Sequence, residues 1–150
     1  MNKPPFIVDD FVAPPCFGEI RLLYEDEDIL LIDKPSGLLT LSGKNPLNKD
    51  SVHHRLVTGQ LAEGAAKTKC QAYPSATLVH RLDFGTSGIM LVALNKRATS
   101  LLGLQFQERK ISKAYIAMLE GQLKEDSGVI ELPIAKGLFP LQQICWETGF

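Results

Sequence analysis

The chain has 150 residues, 45% of them hydrophobic and 22% charged, with a formal net charge of −1. Such a chain can bury one sizeable core and is neither disordered nor fibrous. It has no apolar run of about 18 residues, so no transmembrane helix and no membrane partner are expected. The opening Met1-Asn2-Lys3-Pro4-Pro5 lacks the apolar heart of a signal peptide. Cys16, Cys70 and Cys145 are odd in number, far apart and form no C-x-x-C. Their spacing predicts free thiols in a reducing, cytoplasmic setting and no zinc site.

Charge is unevenly spread. Residues 1–33 sum to −6, residues 34–113 to +8 and residues 114–150 to −3. Lys and Arg on the solvated faces of helices would account for the middle segment. A local basic surface is also what contact with phosphates requires.

In chain order, the first eighteen residues hold four of the nine prolines, Pro4, Pro5, Pro14 and Pro15. They predict an extended arm over 1–18 rather than a packed element. Ile20–Tyr24 and Ile29–Ile32 are short β-type runs separated by Glu25-Asp26-Glu27-Asp28, the pattern of a hairpin with an acidic turn. Pro35-Ser36-Gly37 stops the second strand. Asp50 or Ser51 caps a helix predicted to reach about Glu63, with Val52, Leu56, Val57 and Leu61 inward and Gly59 unfavourable in its middle. Residues 63–75 read as a loop. Leu78–Leu82 and Ile89–Leu94 read as strands around a further loop, the second with both faces buried. Asn95 caps a helix from Lys96 to about Glu108 with a stripe of Ala98, Leu101, Leu102 and Phe106. Met90 and Phe106 are assigned to the core. Lys113–Leu119 and Val129–Leu132 supply further strands. Hairpins with two helices between them predict an α+β fold, a mixed, largely antiparallel sheet with flanking helices.

Most of the chemistry is concentrated in His80-Arg81-Leu82-Asp83-Phe84-Gly85-Thr86-Ser87-Gly88. An Asp two residues ahead of a glycine ordinarily shapes a turn by bonding backbone N–H groups. Arg81, two residues earlier, would share a face with Asp83 on a strand and invites a local ion pair. His80 reads as a hydrogen-bonded structural residue. Tyr115, in Lys113-Ala114-Tyr115-Ile116-Ala117, is by strand statistics a packing residue. Gly85-Thr86-Ser87-Gly88 superficially suggests a serine hydrolase. The pattern fails, because a nucleophile elbow reads G-x-S-x-G and leads from a strand into a helix. Ser87 is expected to bond the local backbone instead.

The order of these motifs resembles the RluA family of pseudouridine synthases. His80–Gly88 is similar to the family's catalytic signature, Asp33-Lys34-Pro35-Ser36-Gly37-Leu38 to its first motif, and Lys113–Ala117 to its tyrosine-bearing strand. The likeness runs from about Glu19 to Phe150 and makes 19–150 the N-terminal portion of a pseudouridine synthase catalytic domain. It implies isomerisation of uridine to pseudouridine in structured ribosomal or transfer RNA, with no cofactor and no metal. By the same resemblance Asp83 is the essential aspartate. Arg81 enters the RNA stack where the target base has flipped out, and Tyr115 lies against that base. The Lys34 motif is assigned to shaping its loop.

Leu141–Phe150 resembles an interior family segment. Members continue with a Gly-Arg-x-His-Gln-Leu-Arg-like stretch whose arginine pairs with the aspartate. The chain is therefore expected to be cut within the catalytic domain and inactive alone. An RNA-binding, non-catalytic piece is the competing reading, with self-association through an incomplete sheet edge.

Overall fold

The computed structural model describes residues 11–60, 71–136 and 142–144. It resolves into two compact units, Met1–Lys113 and Ala114–Phe150. The first is built on a four-stranded sheet of β1 (Arg21–Glu25), β2 (Ile29–Lys34), β3 (Thr77–Leu78) and β4 (Gly88–Ala93). The order is β1-β2-β4-β3 with every pairing antiparallel. Among the described residues two α-helices accompany it, α1 (Val52–Thr58) and α2 (Lys96–Gln107). The fold is α+β.

The β1–β2 hairpin forms where the acidic run predicts it. The Asp26 carboxylate accepts from the backbone N–H groups of Asp28 and Ile29, 2.9 and 2.8 Å. Those bonds, together with the Tyr24 hydroxyl, hold its pKa below the ordinary value. Along β2 burial alternates, so Leu30, Ile32 and Lys34 share the inner face. Leu30, Ile32, Val52, Leu56, Met90 and Val92 are fully buried and centre the core. Each contributes about 1.5–3 kcal/mol by leaving water.

Helix α1 is shorter than its apolar pattern predicts. The Ser51 hydroxyl caps it by accepting from His54 N–H, and Gly59 ends it at φ 75°. That left-handed conformation suits glycine and releases the chain from the helix. Of the inward positions, Val52 and Leu56 are buried and Val57 is half-buried, while Leu61 lies outside the described residues. Arg55 is an unexpected occupant of this face, 1% exposed. It grips Asp50 through two bonds of 2.7 and 2.6 Å and donates to the carbonyls of Cys16 and Gly18, both at 2.8 Å.

Those last two bonds bear on the N-terminal stretch. Residues 11–18 form no helix or strand, yet they are firmly seated. The Asn48 amide accepts from Ala13 N–H at 2.8 Å and donates to Phe11 O at 2.7 Å. Cys16 is buried, and the Phe11 ring meets Phe84 edge-on at 5.5 Å. Proline content predicts the extended shape but misses the packing.

The predicted strand Leu78–Leu82 stops at Leu78. In β4, Met90 and Val92 are buried but Ile89 is 63% exposed, so only one face is closed over the strand's full length. Asn95 caps α2 as expected, accepting from Ala98 N–H at 2.9 Å. The α2 stripe is only partly covered. Ala98 is buried, Leu102 and Phe106 half-buried and Leu101 exposed, and Phe106 is not a core residue but stacks on His80.

In the second unit, β5 (Ile134–Lys136) and β6 (Gln142–Ile144) form an antiparallel pair. Residues 113–119 and 129–132 are not strands. A strand exists only through its ladder, and neither stretch has a ladder partner among the described residues.

Candidate active site

The antiparallel register of β2 and β4 places Lys34 opposite Gly88. The segment leaving β2 and the loop entering β4 therefore meet at one end of the sheet. Residues 34–40 and 82–85 are then stitched together, almost entirely through backbone groups of the second. The Thr40 hydroxyl donates to Leu82 O and accepts from Leu82 N–H at 3.2 Å. Gly37 N–H donates to Phe84 O at 2.9 Å, from a residue at φ 78° that glycine alone adopts readily. The Ser36 hydroxyl donates to Gly85 O at 2.8 Å.

Lys34 completes the seam. It is fully buried, and its Nζ donates to Leu38 O at 2.6 Å, Pro35 O at 3.0 Å and Phe84 O at 3.3 Å. Three carbonyls use all three ammonium protons. Burial pulls the Lys34 pKa below the ordinary lysine value, against the opposing pull of Cys16 and the Asp83 carboxylate. A buried cation thus stands within electrostatic range of Asp83. Sequence reasoning assigned this motif to loop shaping and overlooked its buried charge. The signal was there in the period of β2, which places residue 34 on the face of Leu30 and Ile32.

Leu82, Phe84 and Gly85 are all pinned, and the side chain of the residue between them is not. The side chain of Asp83 is exposed and, among the described residues, accepts no hydrogen bond and joins no ion pair. The turn-forming reading of this Asp is therefore not what the structure shows. The turn is formed by its main chain, with Thr86 N–H donating to Asp83 O at 3.0 Å. Arg81 lies in the same loop, exposed and likewise without an ion-pair partner among the described residues. Residues 81–83 are not a strand, so the shared-face argument for an Arg81–Asp83 pair does not apply.

Ser87 is exposed and followed by β4 rather than a helix. Its hydroxyl bonds no backbone group among the described residues, contrary to expectation. Tyr115 belongs to the second unit, where it is 61% exposed. The structure thus brings Asp83, Arg81 and the unforeseen Lys34 to one loop pair. Among the described residues there is no cluster of three or more His, Cys, Asp or Glu that could hold a metal ion. Among the described residues no helix is long and apolar enough to cross a membrane.

His80 precedes this loop. Its Nε2 accepts from Leu91 N–H at 2.9 Å, and its ring stacks on Phe106 at 4.6 Å and 17°. Burial, and secondly the Lys113 charge, lower its pKa from the usual 6.5. The folded state therefore holds the ring neutral while the unfolded chain begins to bind a proton near 6.5. This contribution to stability is present above pH 6.5 and is lost as pH falls toward the folded-state pKa. Melting temperatures at pH 5 and pH 7.5 should show a larger acid loss for the wild type than for His80→Gln, which cannot titrate.

A family model described as RNA pseudouridylate synthase matches residues 28–145. The chain belongs to this family. It is 42% identical over 130 residues to the dual-specificity RNA pseudouridine synthase RluA of Yersinia pestis, covering 85% of this chain and 57% of that protein. With its namesake from Escherichia coli K12 it shares 38% over 138 residues, 91% of this chain and again 57% of the relative. Among solved structures, human RNA pseudouridylate synthase domain containing 1 superposes with a TM-score of 0.59 at 25% identity, covering 92% of this chain and 49% of that one. The chain thus spans about half to three-fifths of the length of these relatives.

Proposed function

We propose that this chain carries the catalytic loop of an RNA pseudouridine synthase acting on structured ribosomal or transfer RNA, with Asp83 as the essential carboxylate. The observation that carries this reading is the contrast at one peptide. The main chain on both sides of Asp83 is fixed by Lys34, Ser36, Gly37 and Thr40, while among the described residues the carboxylate itself accepts no hydrogen bond and joins no ion pair. Such an arrangement suits an acid group whose partner is a substrate. Isomerising uridine breaks the N1–C1′ bond, forms a C5–C1′ bond and releases the C5 proton. An ionised carboxylate held against the sugar and the uracil ring serves that sequence whichever atom it meets first.

RNA as partner accords with the family and with the basic surplus of residues 34–113. Ribosomal and transfer RNA are the classes that the motif resemblance implies, and relatives named as dual-specificity RNA pseudouridine synthases accord with more than one kind of RNA substrate. In this reading Arg81 fills the space vacated by the flipped uridine, a role suited to a planar cation on an apolar stem. Tyr115 offers its ring to the extruded base. The test is tritium release from RNA transcripts carrying C5-tritiated uridine; a whole protein that releases none from either RNA class defeats the proposal.

Arg81→Ala separates two roles for that residue. Base extrusion costs a few kcal/mol, least for a base already unpaired. The variant should therefore lose far more turnover on a structured RNA than on one whose target uridine is already unstacked. Equal losses on both would assign Arg81 to the loop rather than to the vacated stack.

A further inference from the structure

The β3–β4 ladder pairs Thr77 with Ala93 and Leu78 with Val92. Continued by one residue, it would bring the Val79 carbonyl to Leu91 N–H. The ladder instead ends, and Leu91 N–H is taken by His80 Nε2 at 2.9 Å. The imidazole is held in that place from its other side by Phe106 of α2, stacked at 4.6 Å. Immediately afterwards the chain leaves the sheet, and the next peptide but one, at Leu82, is captured by Thr40.

We infer that His80 is a positioning residue for the Asp83 loop: its ring substitutes for a backbone carbonyl opposite Leu91, ends the strand there and directs Arg81 and Asp83 out of the sheet. A strand that simply continued through His80 would keep residues 80–83 in ladder geometry and alternate Arg81 and Asp83 against Leu82 across the sheet. The substitution keeps Leu91 N–H satisfied while removing that constraint, which a bare break in the ladder would not do. Only the neutral ring can accept. The surroundings favour that form, since β4 carries no ionisable residue and the charged group acting on the imidazole is the cation of Lys113, which also stands 6.0 Å from the Phe106 ring centroid.

The inference rests on the proposed activity, and the experiment keeps the two apart. Wild type, His80→Ala and His80→Gln would be compared in the whole protein by tritium release from C5-labelled RNA, with amide hydrogen exchange followed at Leu91. Glutamine places its Oε1 about where Nε2 stands and accepts the same hydrogen bond. The alanine variant is expected to lose kcat at least about tenfold with KM changed less than about twofold, since in this reading Arg81 and Asp83 act on RNA that is already bound, and Leu91 N–H should exchange faster. The glutamine variant should recover kcat to within about threefold of wild type and restore Leu91 protection. A glutamine variant as impaired as the alanine one, or an alanine variant within about twofold of wild type in kcat, overturns the positioning role. A wild-type protein that releases no tritium overturns the activity beneath it, a result no comparison of variants could mimic.

Discussion

Asp83→Asn in the whole protein should lower uridine isomerisation by on the order of 10²–10⁴-fold or more, the range over which a positioned acid or base group acts, while RNA is still bound. The substitution keeps the shape of the side chain and removes its charge. It should leave the fold alone for a reason visible in the loop. Every described bond that fixes residues 82–86 uses main-chain atoms of this segment, and none uses the Asp83 carboxylate. An exposed group of that kind changes stability by no more than about 0.5 kcal/mol when replaced. Equal melting temperatures and equal RNA affinity beside a collapsed tritium-release rate would separate chemistry from folding. Near-normal turnover in this variant would remove Asp83 from the catalytic role.

What the sequence made legible was whatever a local pattern could encode. The acidic β1–β2 turn, the Ser51 and Asn95 caps and the alternation of β2 each depend on residues within one turn or strand of one another. The Asp83 loop was legible as a motif, yet its rigidity was not, because the groups that hold it come from residues 34–40, more than forty positions away. Helix α1 was predicted too long because a left-handed glycine at 59 outweighs continued apolar spacing. Strands were expected at 113–119 and 129–132 because β-type residues are common there, but composition cannot supply a ladder partner. The most instructive misses are the two buried cations. Lys34 lies in register with Leu30 and Ile32, and Arg55 lies three residues after Val52 and beside Leu56. Both occupy core-facing positions of an otherwise apolar stripe. Periodicity announced their burial, and treating Lys and Arg as surface residues concealed it.

Arg55→Ala should be among the most destabilising single changes in the first unit, costing about 2–5 kcal/mol, the usual penalty for truncating a large buried side chain, with the half-exposed Asp50 carboxylate recovering part of its loss from water. That is a large part of the roughly 5–15 kcal/mol that holds a domain folded. The loss has three physical parts. Asp50 loses a partner that meets both its oxygens, the carbonyls of Cys16 and Gly18 lose their Arg55 donors, and the volume of a large side chain is vacated beside Val52 and Leu56. Arg55→Lys should restore less than half of it, because one ammonium cannot reproduce a planar fork that satisfies a carboxylate and two carbonyls at once. The consequence extends to the site. Residues 16 and 18 anchor the stretch that carries Phe11 onto Phe84, the neighbour of Asp83. Urea unfolding should show a clear fall in midpoint for both variants, and limited proteolysis should cut first within residues 11–18 of Arg55→Ala. A midpoint shift worth less than about 1 kcal/mol, within the range of an ordinary surface substitution, would mean that the clamp seen at Arg55 contributes little and that other contacts, such as those of Asn48, Phe11 and Cys16, hold the arm.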